Sequence, residues 1–208
     1  MMAKKTTRRV DLHARIQKAA LELAAVQAWH SITLTDIAMS AQTDLAQLLL
    51  LYPDKTAILC GFMDHVDSAM LASMSDGDDN EPVRDRLFTL IMSRLDVLSL
   101  HRPALLSVAR SEARDPIAGL CHLLRFRRSL ALILEAAGLS SNGLKGRLTL
   151  KGLALIYLNT IRVWADDDSA DMAKTMAALD RGLALAGKLT TYCRTTVAPP
   201  VDPEPQPT

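Results

Sequence analysis

Aromatic residues and cysteines are scarce in this sequence. Phe, Tyr and Trp together make up 4% of the 208 residues, and the hydrophobic 49% is rich in Leu, Ala and Met. Because aromatic and β-branched residues are the ones that favour strands, this composition argues against a β-sheet and predicts an all-α fold. The three cysteines are far apart and form no CxxC pair, which argues against a disulfide framework and indicates reduced thiols.

Motifs for catalysis and metal binding are missing from the sequence as well. The chain has no phosphate-binding loop, no GxGxxG and no GxSxG, and its five histidines show neither HxxxH nor HxH spacing. Three consecutive aspartates, Asp166 to Asp168, fit a helix cap and turn better than a cation site. We therefore predict no catalytic residue, no metal site and no cofactor, and a protein that is not an enzyme.

Charge is nearly balanced, and the excess that exists is local. The formal net charge is +1, so no global field draws the chain onto nucleic acid or acidic lipid. A basic cluster of Lys4, Lys5, Arg8 and Arg9 precedes the first acidic residue, Asp11. Charges interrupt the segment after this cluster, and no uncharged stretch approaches the length that spans a membrane, so we expect a cytoplasmic protein.

The beginning of the chain has the pattern of an arm followed by short helices. Residues 1–10 are expected to form a flexible basic arm, and apolar residues at helical spacing predict a first helix from Asp11 to near Trp29. Thr33 with Asp36 three residues later predicts a capping box at the start of a second, short helix.

Two more aspartates mark the next helix starts. Asp44 is the expected cap of a third helix that Pro53 ends, and Asp54 is the expected cap of a fourth. Beyond an acidic linker, "SDGDDNEP", the pattern stays helical, which gives about nine helices and no strand. The predicted organisation is a flexible basic arm (1–10), a helix-turn-helix domain (11–55), a helical ligand-binding and dimerisation body (56–193) and a disordered proline-rich tail (194–208).

The segment "RIQKAALELAAVQAWHSITLTDIAMSAQTDLAQLLLLYPDKTAIL" combines an AA-x-L helix, a T-x-x-D-I-A helix, a turn, a third helix and an aromatic-x-x-Lys junction. In these features it resembles the N-terminal domain of the tetracycline-repressor (TetR) family of transcriptional regulators. The resemblance implies a homodimer whose heads bind operator DNA and whose bodies take a small hydrophobic ligand. Where that family has Gly-Val-Ser at the turn, this chain has Gln42, Thr43 and Asp44.

A second resemblance lies in the C-terminal part. The AAG turn, the segment "LIYLNT" and above all "RVWADDDSADMAKTMAALDR" are similar to the C-terminal region of the ubiquinone-biosynthesis lipid-binding accessory proteins (Coq-nine type), which share the TetR fold. This resemblance implies an alternative function, the presentation of a lipid or quinone to partner enzymes without DNA binding. We predict a ligand-responsive regulator, and the accessory protein remains the alternative.

Nine residues are expected at a DNA interface. The basic arm would neutralise phosphates or enter the minor groove, and threonine hydroxyls can donate to phosphate. The TetR resemblance adds a lysine at a helix start as a phosphate ligand. On the third helix only a glutamine can make bidentate base contacts. The full set is Lys4, Lys5, Arg8, Arg9, Thr33, Thr35, Thr43, Gln47 and Lys55.

Four consecutive leucines make the third helix unusual. At about 100° per residue, the spacing predicts a face packed on the first helix, made of Leu45, Leu48, Leu49 and Tyr52. It predicts an outward face made of Asp44, Ala46, Gln47, Leu50 and Leu51. Two interpretations of Leu50 and Leu51 stay open. Either the helix is rotated or covered by the arm or a partner chain, or these leucines contact a protein or membrane in place of DNA.

The helical body offers apolar side chains for a core and, by both resemblances, for a ligand or lipid pocket. The residues expected to line that pocket are Phe88, Met92, Leu124, Leu130, Leu134, Leu153 and Tyr157. The last two long helices carry broad apolar stripes, and the TetR resemblance implies that they form a four-helix interface with a second copy. The residues expected in that interface are Leu150, Ile161, Trp164, Met172, Met176, Leu179 and Leu183.

Overall fold

A computed structural model describes residues 2–74, 81–112 and 116–196, and the side chains of residues 11–74, 81–112 and 119–187. Within these ranges the chain forms nine α-helices and no strand, which confirms the all-α prediction. A short 3-10 helix, Trp29–Ser31, follows the first helix. The α-helices are α1 (Met2–Val26), α2 (Leu34–Ser40), α3 (Leu45–Leu51), α4 (Lys55–Ala72), α5 (Val83–Ser99), α6 (Arg102–Glu112), α7 (Pro116–Ala136), α8 (Gly143–Ala165) and α9 (Ala173–Thr196).

The first helix begins earlier than the sequence predicts. The expected flexible arm over residues 1–10 is helical in its backbone from Met2 onward. No glycine or proline stands between Met2 and Asp11, so nothing there ends the helix. The side chains of the basic cluster are not among those described. Most of the acidic linker and residues 197–208 of the predicted tail also lie outside the described residues.

Polar side chains cap three helix starts, as predicted. The Thr33 hydroxyl accepts from the backbone N–H of Asp36 at 3.1 Å, and Asp36 Oδ2 accepts from the backbone N–H of Thr33 at 2.8 Å, which completes the capping box. Asp44 accepts from the Gln47 N–H at 2.7 Å, and Asp54 caps α4 in the same way. Each carboxylate satisfies an open N–H group and lies at the positive end of a helix dipole.

The turn between α2 and α3 depends on a residue in the left-handed conformation. Gln42 has a φ of 52°, its N–H donates to the Met39 carbonyl at 3.1 Å, and the Thr43 N–H donates to the Ala38 carbonyl at 3.0 Å. This bond pattern commonly ends helices with glycine at the left-handed position. The Arg15 guanidinium of α1 donates to the Gln42 carbonyl at 2.8 Å. The turn that sets α3 is therefore held from α1.

Replacing Gln42 by glycine is expected to stabilise the protein. Glycine reaches the left-handed region without the steric cost that a Cβ brings, so the free energy of unfolding should rise by about 1 kcal/mol. The Gln42 side chain is exposed, so little packing is lost. Urea denaturation measures the change. The control Gln42→Ala keeps the Cβ and should gain nothing, and equal stabilities for the two variants would contradict the prediction.

The chain divides into two compact units, Met1–Ala154 and Leu155–Thr208. In the first unit α1 packs against α2, α4 and α6, and α4 packs against α5 and α7. In the second unit Gly182 of α9 allows a close approach to α8, because a Cβ at this position would lie 2.7 Å from Ile156 Cγ2. None of the helices in the described part of the chain is both long and apolar enough to cross a lipid bilayer.

Candidate nucleic-acid interface

The orientation of α3 is set by two buried side chains. Leu48 is fully buried, and Tyr52, the residue after the helix, is nearly so. The Tyr52 hydroxyl lies 2.9 Å from His13 Nδ1 and accepts from Gln17 Nε2 at 2.7 Å, so α1 holds its ring. Burial raises the pKa of Tyr52, although the hydrogen bond from Gln17 acts in the opposite direction. These contacts fix which face of α3 points outward.

The buried face of α3 is narrower than predicted. Leu45 and Leu49, expected to pack on α1, are 38% and 44% exposed, and Leu50 is 84% exposed. The core direction falls between Leu48 and Tyr52, which places Leu49 about 80° away from it around the helix. The predicted packing face is therefore corrected to Leu48 and Tyr52. Leu50 is outward as predicted, whereas Leu51 is half-buried.

Polar groups lie along one edge of this apolar face. Gln47 is exposed, and the Thr43 hydroxyl donates to its Oε1 at 3.3 Å, which leaves its amide N–H groups directed elsewhere. An open groove of about 450 Å³ adjoins this edge and is lined by Leu12, Arg15, Gln42, Thr43, Asp44 and Gln47. Thr33 and Thr35 of the predicted DNA set are exposed as well. The contacts of these residues with DNA stay predictions.

Lys55 makes contacts that the sequence did not indicate. Its Nζ donates to the Trp29 carbonyl at 2.7 Å and to the Ile32 carbonyl at 2.8 Å, and it lies 4.9 Å from the centre of the Trp29 ring. Burial lowers the pKa of Lys55, and the nearby Glu112 carboxylate opposes this effect. The predicted phosphate contact is untested. The hydrogen bonds give Lys55 a structural role in fixing the segment before α2.

A hydrogen-bonded junction joins the helix-turn-helix domain (residues 11–55), called the head below, to helices of the body (residues 56–193). Glu112, at the end of α6, accepts from Trp29 Nε1 at 3.0 Å, and its second carboxylate oxygen contacts His122 Nε2 of α7, which forms an ion pair when the imidazole is protonated. The hydrogen bond with Glu112 raises the pKa of His122 despite its partial burial. Sequence reasoning missed this junction because Trp29 and Glu112 are 83 residues apart. It connects the start of the second helix with two helices of the body.

A buried ion cluster in the body was also missed. Asp67 of α4 pairs with Arg94 of α5 and with Arg125 of α7, the latter at 2.6 Å, and accepts from the Ser129 hydroxyl at 2.8 Å. Arg125 reaches the exposed Asp64 at 2.8 Å as well. The one available signal was a charged residue on the buried side of an otherwise apolar α4. The cluster ties three helices together.

The predicted pocket residues occupy different environments. Leu130, Leu134, Leu153 and Tyr157 are buried, and Phe88 and Met92 are half-buried. Leu124 is exposed on α7 and lies apart from the buried members of this set. The sequence of α7 did not indicate which side of this helix packs against the other helices. The pocket itself stays a prediction.

The predicted dimer residues lie mostly inside the subunit. Leu150, Trp164, Met172, Leu179 and Leu183 are buried within the chain, and Ile161 and Met176 are half-buried. The predicted interface itself stays a prediction. In the second unit Leu155 and Leu158 of α8 are 71% and 53% exposed, and Leu185 of α9 is exposed as well. Leu155 points away from the buried Tyr157 and Trp164 around the helix.

The aspartates after α8 form a turn and a helix cap. Asp167 is fully buried, and its two oxygens accept from the backbone N–H and hydroxyl of both Ser169 and Thr175. Burial by itself would raise the pKa of Asp167, but these hydrogen bonds outweigh it and hold the pKa well below the ordinary range. Among the residues with described positions, no group of acidic, histidine or cysteine side chains could hold a metal ion.

No family model matches the chain, and no curated protein sequence does. Several solved structures match the chain. A TetR transcriptional regulator from Nitrosomonas europaea ATCC 19718 is 27% identical with a TM-score of 0.72, over 85% of this chain and 98% of that one. A TetR regulator from Rhodococcus sp. RHA1 is 17% identical with a TM-score of 0.63, over 86% and 96%. A TetR-family regulator from Streptomyces coelicolor is 13% identical with a TM-score of 0.58, over 86% and 85%.

These structures are all described as transcriptional regulators, and none as a ubiquinone-biosynthesis protein. The second resemblance, in the C-terminal part, therefore gains no support and stays a prediction. The resemblance to the TetR family, in the N-terminal part, agrees with the order of the helices, with the capped helices α2 and α3 and with the helical body. The chain has the all-helical fold of the TetR-family transcriptional regulators, which are not enzymes.

Proposed function

We propose that this protein is a TetR-type transcriptional regulator that binds operator DNA as a homodimer in the cytoplasm and releases it when an apolar ligand enters the body. The strongest support is the α2–turn–α3 unit. Its helices are capped, its turn is fixed by Arg15, and the outward face of α3 is uncovered. This unit belongs to a chain that aligns over 85% of its length with a TetR regulator.

The proposed DNA contacts surround α3. The exposed Thr35 hydroxyl in the first turn of α2 is available to phosphate oxygens, and Gln47 is available to a base edge. The Thr33 hydroxyl already donates to Asp36 Oδ2 at 2.7 Å, so Thr33 would have to exchange that bond for a phosphate contact. The basic cluster lies on the first turns of α1, which places four cations on the same helix that holds the turn. Two such heads in a dimer would enter successive major grooves about 34–36 Å apart.

We propose that the exposed leucines of the second unit form the dimer surface. Leu155 and Leu158 of α8 and Leu185 of α9 present an apolar area that the subunit does not cover. Two-fold symmetry brings the same patch from both copies together, so each leucine is buried twice. Burial of these side chains supplies about 1.5–3 kcal/mol for each leucine.

Charged substitutions on this surface are expected to produce monomers. In the double variant Leu155→Glu/Leu158→Glu the dissociation constant of the dimer should rise at least about a hundredfold. The two copies together lose four leucines from the interface, and like charges meet there. Sedimentation velocity measures the change. Leu100→Glu, at an exposed leucine that ends α5, is the matched control and should remain dimeric. A double variant that is still dimeric would place the interface elsewhere.

The proposed ligand response runs through the junction at Glu112. A ligand that shifts α6 or α7 moves Glu112 or His122, and Glu112 is bonded to Trp29 just before α2. Such a shift changes the separation of the two heads, so that they no longer fit successive grooves.

The test of DNA binding uses duplexes recovered by the full-length protein from a random-sequence pool. A recovered duplex should bind more tightly than random competitor DNA, and log affinity should fall linearly with log salt concentration. In the variant with Lys4, Lys5, Arg8 and Arg9 replaced by Gln, the slope should become shallower by about 0.9 for each phosphate that is no longer neutralised.

The matched control removes the same number of charges elsewhere. Arg110, Arg127, Arg128 and Lys145 are all exposed on the body, and replacing them with Gln should leave the slope unchanged. If no duplex is enriched over the pool, or if both variants change the slope equally, the proposed regulator function is wrong.

A further inference from the structure

Two helices of the body, α4 and α7, pack side by side in a parallel register. Asp64 of α4 pairs with Arg125 of α7 at 2.8 Å, and about one turn further along both helices Asp67 accepts from the Ser129 hydroxyl at 2.8 Å. The contacts therefore advance in the same direction on the two helices. Because side chains four residues apart lie on the same face of a helix, the positions one turn before Asp64 and Arg125 are expected to be neighbours as well.

Cysteines occupy both of those positions. Cys60 stands four residues before Asp64, and Cys121 stands four residues before Arg125. At about 100° per residue, Cys60 points between Asp64 and Asp67, both of which contact α7. Facing positions on helices packed about 8–10 Å apart bring their Cα atoms into the range that a disulfide spans. The register thus places the two thiols together at the rim of the α4–α7 contact.

The two thiols differ in their exposure. Both are free, but Cys121 is exposed and Cys60 is half-buried. Burial raises the pKa of Cys60, Arg125 opposes this effect, and a charge on Cys121 would raise the pKa further, as expected of neighbouring thiols. Cysteines that sense oxidants are commonly exposed and lie next to a second cysteine that resolves the oxidised form. Cys121 fits the first role and Cys60 the second.

We propose that Cys60 and Cys121 form a redox pair that a hydroperoxide oxidises to an intramolecular disulfide. The Cys121 sulfur attacks the peroxide, the O–O bond breaks, and Cys121 becomes a sulfenic acid while water or an alcohol leaves. The Cys60 sulfur then attacks the Cys121 sulfur, an S–S bond forms, and the sulfenic oxygen leaves as water with the Cys60 proton. The peroxide is reduced and the two thiols are oxidised. Small thiols reverse the reaction by disulfide exchange.

The bridge would lie beside the junction between head and body. It ties the second turn of α4, the helix that follows the head, to the residue before His122, which contacts Glu112. Oxidation would thus restrain the segment through which the proposed ligand response runs. Formation of the bridge does not require DNA, so it can be tested without an operator.

The experiment uses the full-length protein with Cys193→Ser, which leaves Cys60 and Cys121 as its only cysteines. After treatment with an equimolar amount of hydrogen peroxide, the mass of the intact chain should fall by two hydrogen atoms, and a tryptic digest should contain the two cysteine peptides joined. In glutathione buffers the equilibrium constant for forming the disulfide should be at least about tenfold larger in the folded protein than in urea, because the fold holds the thiols together.

Single variants in the same background separate the two roles. With Cys60→Ser, oxidation of Cys121 should stop at the sulfenic acid, which dimedone traps. With Cys121→Ser, Cys60 should react with peroxide at least about tenfold more slowly than Cys121 does, because it is half-buried. Equal rates would overturn the assigned order of the two steps. Disulfides that join two chains instead of bridging one, or an equilibrium constant no larger than in urea, would overturn the redox pair itself.

Discussion

Asp67→Ala is expected to lower the free energy of unfolding by about 3–5 kcal/mol, one of the two largest losses that we predict for a single substitution. The substitution leaves Arg94 and Arg125, both almost fully buried, around a site with no carboxylate between them. It also removes the acceptor of the buried Ser129 hydroxyl. A buried charge without its partner costs far more than the pair contributes when it is complete. Urea denaturation followed by circular dichroism measures the loss.

Asp64 provides the matched control for this prediction. Asp64 is an exposed carboxylate on the same helix and pairs with the same Arg125, so Asp64→Ala should cost less than about 1 kcal/mol. Asp67→Asn keeps the shape and an acceptor oxygen, and its cost should be intermediate, which gives a measurable value if Asp67→Ala fails to fold. If Asp64→Ala and Asp67→Ala lowered the free energy of unfolding equally, burial of the cluster would not explain the loss at Asp67.

Asp167→Asn is expected to cost about 2–3 kcal/mol although the two side chains have the same shape. Both carboxylate oxygens accept from backbone N–H groups, at 3.1 Å from Ser169 and at 2.8 Å from Thr175. An asparagine places an NH₂ group against one of these donors, and a backbone N–H cannot turn into an acceptor. Asp166→Asn and Asp168→Asn make the same chemical change at exposed positions of the same turn and should cost little.

The cost at Asp167 should depend on pH in a defined direction. The pKa of Asp167 in the folded chain is below its ordinary value of 3.8, so folding favours the charged form. Its contribution is complete at neutral pH and is lost as the pH falls below about 4, where the unfolded chain takes up the proton first. The stability difference between the native protein and Asp167→Asn should therefore narrow on acidification. A constant difference from pH 7 to pH 3 would refute this account.

The features of the head that depend on residues close together in the sequence could be predicted from the sequence. The capping box at Thr33 and the caps at Asp44 and Asp54 are formed by groups three residues apart, so local spacing predicts them fully. The start of α1 was missed because residues 1–10 carry no apolar periodicity, although Lys and Arg are good helix formers and nothing in this segment breaks a helix.

Features that depend on distant residues could not be predicted in this way. The Trp29–Glu112 bond joins residues 83 positions apart, and the Asp67–Arg125 pair joins α4 to α7. The periodicity of α8 showed that it is apolar on one side, but the sequence did not tell whether that side faces the subunit's own core or a second copy. Leu150 and Trp164 are buried within the chain, whereas Leu155 on the other side of α8 is exposed.

Few buried side chains attach α3 to the rest of the chain: Leu48 and Tyr52 are buried, and Leu51 is half-buried. The exposed positions within α3 can change without creating a cavity or stranding a buried group, whereas Asp44 is required as the cap of the helix. Mutations at these exposed positions are therefore expected to be nearly neutral for stability, so the surface chemistry of α3 can change without first requiring spare stability.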